Sequence, residues 1–403
     1  TCDRVLSEDD VALPMEARLH VARTRLELRT LQGEPIAKTL EDAMALLAKA
    51  RAGGDKRGCV SLLTIVSDAH HRLNDWREAH RLAREAHVLA ESLDDLELRA
   101  ETMMRLGTTL WEQSPDEALE HFRSARLYYE SLGNKYGQLR CMVNAGIARA
   151  RLGDTAGAEL SYREAADLAE ASHIGEIAGL AALNLGVLRL RSGEHEAAGE
   201  QFVRALRQFA KVKSEPRRLA ALYNLANLAQ EQGDPAAALE RFQGAVELAT
   251  ELGMHDVRVG ALAGVGCAAL EMGSTADAER IFTDLIVDPE ATGASWFQGK
   301  ERVEAFIIRV YISRGDLVAA MGRLNRALRA AREERYGSLW LTADAVPALA
   351  HAECPVPYDL VAEARRDAEL AGFRPLVKRL SAFSVPARNT PSPRGPLTTL
   401  VTP

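Results

Sequence analysis

The chain repeats one small pattern at a nearly fixed step: an alanine, a bulky side chain four residues later, and a small or apolar residue three beyond that. Ala118/Phe122/Ala125, Ala158/Tyr162/Ala165, Ala198/Phe202/Ala205 and Ala238/Phe242/Ala245 follow one another at intervals of 40 residues. Ala278/Phe282/Leu285 continues the step, Ala320/Leu324/Ala327 follows after 42, and Ala79/Ala83/Ala86 precedes after 39. A period between about 20 and 50 residues belongs to stacked supersecondary units rather than to one compact core. Each such unit buries its apolar stripe against its neighbours, so a chain of 403 residues needs no domain break.

The stretch from Cys141 to Ala171 shows what the unit is. Apolar residues at helical spacing run to Leu152, Gly153-Asp154 interrupts them, and a second helical pattern starts at Thr155. The interruption recurs at Ser192-Gly193-Glu194, Gln232-Gly233-Asp234-Pro235, Met272-Gly273-Ser274 and Arg314-Gly315-Asp316. Glycine suits the left-handed position that ends a helix, Asp or Ser caps the next, and Pro235 fits a first helical turn. The unit is a helical hairpin, and with no alternating strand pattern the class is all-α. On its second helix, B, the Ala/bulky/Ala triplet falls on one face. The first helix, A, answers with Gly146, Gly186, Ala226 and Gly266, small enough for two backbones to approach closely.

A small residue on helix A, a glycine at the turn and Ala–Phe/Tyr–Ala on helix B resemble the tetratricopeptide repeat, over about residues 14–383. That family's usual period is about 34 residues. The longer step here is similar to that of kinesin light chain, the adaptors that bind GoLoco peptides, bacterial peptide-pheromone receptors and the sensor arrays of maltose-regulator-like ATPases. The resemblance implies a right-handed α-solenoid of about eight hairpins. Weaker hairpins are expected over 14–52, with helix 14–31, a turn at Gly33-Glu34-Pro35 and a helix carrying Ala43 and Ala50, and over Leu339–Ala371. Residues 1–13 read as a lead-in, Arg374–Phe383 as a cap, and 384–403, rich in proline, as a disordered tail.

A net charge of −7 from 50 basic and 57 acidic residues argues against a dedicated nucleic-acid protein. Cys2, Cys59, Cys141, Cys267 and Cys354 have no ligand or CxxC spacing, which predicts reduced, buried thiols and a cytoplasmic location. No apolar run reaches the roughly 18 residues of a membrane span. Because the first residue is Thr1, the chain is read as a piece of a longer polypeptide.

Several strings imitate chemistry. Gly264-Val265-Gly266-Cys267-Ala268-Ala269 matches a dinucleotide fingerprint, but it sits inside a helix A, where the glycines are packing residues. Gly299-Lys300 lacks the earlier P-loop glycine. His70, His71, His80 and His87 cluster in sequence without evident carboxylate or thiol partners, so structural or surface roles are expected. Trp296, in the lengthened linker 288–302, is either a binding anchor or a plug in an irregular repeat. No catalytic constellation emerges; the expectation is no enzyme, no cofactor and no metal.

Asn144, Asn184 and Asn224 each precede the small packing residue of helix A by two, about 200° around the helix. They are expected to face the concave groove together with Tyr223, Asn227, Arg105, Arg151 and Arg191. An asparagine there offers a donor and an acceptor to a peptide backbone, a use the resembling families make of it; the alternative is a ladder of asparagines bonding between scaffold helices. The arginines favour a ligand with acidic and apolar groups. The sequence thus predicts a non-enzymatic protein- or peptide-binding scaffold of a bacterial regulatory or signalling protein, touching neither nucleic acid nor membrane directly. The alternative is a small-molecule-sensing array that controls an attached ATPase or DNA-binding domain.

Overall fold

The computed structural model describes residues 36–73, 75–111, 113–287, 300–331, 337–353, 358–370 and 372–383. Among them all regular structure is α-helical, in 18 helices. In chain order these are α1 (Ile36–Ala52), α2 (Lys56–Arg72), α3 (Trp76–Glu91), α4 (Leu96–Leu110), α5 (Pro115–Ser131) and α6 (Lys135–Arg151). Then come α7 (Thr155–Ala171), α8 (Gly175–Arg191), α9 (His195–Lys211), α10 (Glu215–Glu231), α11 (Pro235–Glu251) and α12 (His255–Glu271). The series ends with α13 (Thr275–Val287), α14 (Lys300–Ser313), α15 (Leu317–Ala331), α16 (Gly337–His351), α17 (Tyr358–Leu370) and α18 (Arg374–Ser381). The even-numbered helices from α2 to α16 are helices A and the odd ones from α3 to α17 helices B. α1 is a further B helix, whose expected partner at 14–31 lies outside the described residues, as do the tail 384–403 and Trp296.

Helix packing follows from small residues facing rings. The Ala–bulky–Ala triplets are buried except at Ala327, which is partly so: Ala118, Phe122 and Ala125, or Ala238, Phe242 and Ala245, have at most 1% of their surface exposed. The facing glycines leave no room for anything larger. A Cβ added to Gly107, Gly146 or Gly186 would stand 2.5 Å from the ring of Phe122, Tyr162 or Phe202, and one on Gly266 2.8 Å from Phe282. The dinucleotide-like string lies inside α12, where Gly264 and Gly266 admit Phe242 and Phe282.

Hairpin turns are set by glycines at φ between 74° and 83° in Gly153, Gly193, Gly233, Gly273 and Gly315. Asp154, Asp234 and Asp316 then cap the next helix, accepting from the backbone N–H of Gly157, Ala237 and Ala319 at 2.9–3.0 Å. Glu194, at the same place, makes no side-chain cap bond. At the B-to-A turns the left-handed residue is glycine in Gly133 and Gly253 but His173 (φ 58°) and Lys213 (φ 54°) in the two turns between. Neither residue type marks a left-handed position in the sequence.

Successive helices A approach one another backbone to backbone (α2 and α4, α6 and α8, α8 and α10, α10 and α12), whereas successive helices B do not come as close. The A layer is therefore the inner, concave side of the curve and the B layer the outer one. α14 packs against α16 in the same way, and α17 and α18 close the apolar end.

Candidate binding groove

Four helices A carry a candidate groove residue two positions before the small packing residue. In α4, α6, α8 and α10 this is Arg105, Asn144, Asn184 and Asn224, all partly buried. Asn184 Nδ2 donates to Leu180 O at 2.9 Å and Asn224 Nδ2 to Ala220 O at 2.8 Å, each the carbonyl four residues earlier in its own helix. The bonds between neighbouring scaffold helices, weighed as the alternative role, are not the ones these two side chains make. An asparagine has two N–H donors and an acceptor oxygen, so one such bond leaves part of its capacity for a ligand. Tyr223 and Asn227 are partly buried on the same helix as Asn224, and the Tyr223 ring meets Phe242 edge to face at 5.7 Å.

Arg105 has a partner on the preceding helix A: its Nη1 donates to Asp68 Oδ1 of α2 at 2.5 Å. Burial works to raise the Asp68 pKa, but the charge and hydrogen bond of Arg105 outweigh it and hold the carboxyl below its ordinary value. Beside this pair His71 is packed edge-on to Trp76 and Trp111, with centroids at 4.5 and 5.6 Å. Burial first, then the charge of Arg105, depress its pKa to about 4, and its Nε2 is buried without a hydrogen-bond partner. The cation expected to await a ligand at this end of the groove is thus already compensated.

Arg151 and Arg191 end α6 and α8. The Arg191 guanidinium lies over the Phe373 ring, with Cζ 4.8 Å from the centroid. The arginines and asparagines therefore share one layer, but the structure spreads them over it: asparagines mid-helix, Arg151 and Arg191 along its rim. Two further ionic links bridge neighbouring helices A, Arg217 to Glu176 at 2.7 Å and Arg309 to Glu271 at 3.9 Å. Neither pair was singled out from sequence, although opposite charges about one period apart were there to be read.

Of the histidines, His80 and His87 on α3 bond through Nδ1 to Thr109 and Thr102 of α4, at 3.0 and 3.1 Å. Burial lowers the pKa of both, and of His121 near them. No group of three or more metal-ligating side chains occurs among the described residues. Cys59, Cys141 and Cys267 are buried and outside any disulfide, and burial pushes Cys141 up to about 12; Cys2 and Cys354 lie outside the described residues. Among those residues no helix is long and apolar enough to cross a membrane.

Three solved structures show the same architecture. A Rap protein complexed with competence and sporulation factor is 14% identical, with a TM-score of 0.60 over 91% of this chain and 100% of that one. NprR in complex with its cognate peptide NprX is 14% identical, with a TM-score of 0.52 over 78% of this chain and 96% of that one. A signal-transduction ATPase with a tetratricopeptide-repeat sensor, from Pyrococcus horikoshii, is 15% identical, with a TM-score of 0.54 over 80% of this chain and 48% of that one. A search of curated proteins found no match. The tetratricopeptide-repeat family model matches residues 98–171, 178–251 and 217–286. Hairpin by hairpin, from α4 to α13, residues 98–286 of this chain are tetratricopeptide repeats.

Proposed function

We propose that the inner face is a peptide-binding groove and that the chain is a non-enzymatic binding scaffold within a bacterial regulatory or signalling protein of the cytoplasm. The observation that carries this reading is the row Asn144, Asn184, Asn224, one per helix A at a 40-residue step, partly exposed on the concave layer. A row of amides at the spacing of successive hairpins matches what an extended peptide needs, repeated donors and acceptors for its backbone. One of the similar structures was solved with its cognate peptide bound, and another with competence and sporulation factor. In this reading the solenoid spans 14–383, between a short lead-in and a proline-rich tail. Arg105 is paired with Asp68, and Arg151 and Arg191 stand on the rim of the same layer.

The test begins with a pull-down to find the partner, followed by titration against the triple variant Asn144→Ala/Asn184→Ala/Asn224→Ala. Binding should weaken by about 1–3 kcal/mol, the cost of peptide groups left unpaired, while the melting temperature stays nearly unchanged. Normal binding with early melting would overturn the groove reading. Arg151→Ala should weaken an acidic ligand less as salt rises. The sensor alternative draws on the likeness to the ATPase-linked array, and retention of a small metabolite in place of a protein would favour it.

A further inference from the structure

A solenoid hairpin touches its sequence neighbours, yet the terminal one here also touches hairpins far earlier in the chain. The last residues of α6, α8, α10 and α12 are Arg151, Arg191, Glu231 and Glu271, so the rim of the inner layer changes sign along its length. α18 lies across that change. Phe373, its N-cap residue, stands under Arg191. Six residues on, Arg379 brings Nη2 to 3.5 Å from Glu231 Oε2, while its Nη1 donates to Oδ1 of the buried Asp344 at 2.9 Å. The aromatic ring thus meets the cationic rim residue, and the guanidinium meets the anionic one on the next helix A.

The turns join in. Pro375 packs on the α8–α9 turn, where a Cβ added to Gly193 would stand 3.5 Å from Pro375 Cγ. Between these turns and the terminal hairpin lies a cleft of about 480 Å³, lined in part by Gly153, Thr155, Ser192, Leu370, Arg374 and Lys378.

We propose that α17 and α18 form a latch that closes the superhelix on itself, and that its opening is what releases Arg191 and Glu231. The consequence for ligands rests on the groove reading: a peptide that takes Arg191 has to displace Phe373. The contacts suit a reversible device. A cation–π pair and an ion pair at partly exposed sites are each weak, and their loss leaves the local hairpin contacts of α17 and α18 in place. Asp344 belongs to the terminal hairpin itself, so Arg379 keeps one partner, and its aim at the rim, when the latch is open.

The experiment uses the full chain. In the double variant Arg191→Ala/Glu231→Gln, both changes lie on hairpins far from the latch in sequence that meet it through the closing contacts, so any effect on residues 368–381 is transmitted through the closure. Amide hydrogen exchange there should rise by about threefold or more, and small-angle scattering should give a larger radius of gyration. In Phe373→Ala, phenylglyoxal should modify Arg191 faster, as read by mass spectrometry. Unchanged exchange over 368–381 in the double variant overturns the latch even if Phe373→Ala fails to fold. So does an unchanged modification rate at Arg191 in a folded Phe373→Ala. Neither readout involves a ligand, so the latch and the groove fail or survive separately.

Discussion

Gly186 and Phe202 occupy one space: a Cβ on the glycine would fall 2.5 Å from Cε1 of the ring. Helices α8 and α9 are therefore as close as their backbones allow. Gly186→Leu should cost about 1–3 kcal/mol by overpacking, and Ala238→Leu, at a fully buried site, a similar amount. In a nearest-neighbour array the damage spreads to adjoining hairpins and lowers the unfolding midpoint. Thermal and denaturant melts check this; unchanged midpoints in both variants would put these residues on the wrong face.

Acid should weaken the fold in two stages. His71, held down to about 4, is neutral in the fold and takes a proton on unfolding at pH values below about 6.5. Its contribution is full above about pH 6.5 and falls away as the pH drops toward 4, and the lowered His80, His87 and His121 act in the same direction. Melting temperatures recorded between pH 7.5 and 4.5 should decline, less steeply in His71→Phe.

The second stage belongs to Asp68, whose pKa is also depressed, so its contribution is present above the ordinary carboxylate pKa and lost as the pH falls below it. Its side chain keeps 38% exposure, and solvent screening limits the effect of Asp68→Asn to roughly 0.5–1 kcal/mol at neutral pH. A double-mutant cycle with Arg105→Met should show the two losses to be non-additive.

Lys213 and His173 hold left-handed backbone that glycine holds in the equivalent turns. Replacing either with glycine should raise stability by about 0.5–1 kcal/mol, the relief of the Cβ clash less the entropy glycine loses. Gly233→Ala, at φ 74°, should lower it by about 1 kcal/mol. Calorimetry on the three variants gives the comparison.

Asn184→Ala removes a bond to a carbonyl already inside the α8 ladder, so stability should move by less than about 0.5 kcal/mol. A larger loss would assign the side chain to the scaffold.

The spacing of Ala158, Tyr162 and Ala165, with Gly146 facing them, was enough to place helices α6 and α7 and their contact, because neighbour-to-neighbour packing repeats with the chain and leaves a period. Gly153-Asp154 likewise announced its turn. Relationships that do not recur leave no such trace. Nothing periodic links Arg191 to Phe373 or Glu231 to Arg379, and Lys213 carries no mark of a left-handed residue because only its neighbours in the turn force that conformation. Arg105 shows the intermediate case: its place on a helix A of the inner layer followed from the pattern, but its pairing depends on which side chain the previous helix A presents, and Asp68 was not singled out.

The meeting of α18 with the rim of α8 and α10 also limits how this molecule can change its length. An open array gains or loses a hairpin between its ends without disturbing the rest. Here an insertion or deletion of one 40-residue unit between Arg191 and Phe373 would rotate and translate the terminal hairpin, bringing Phe373 and Arg379 to other rim residues or to none. The number of hairpins in that interval is consequently fixed by geometry, whereas repeats before α6 are free of this constraint.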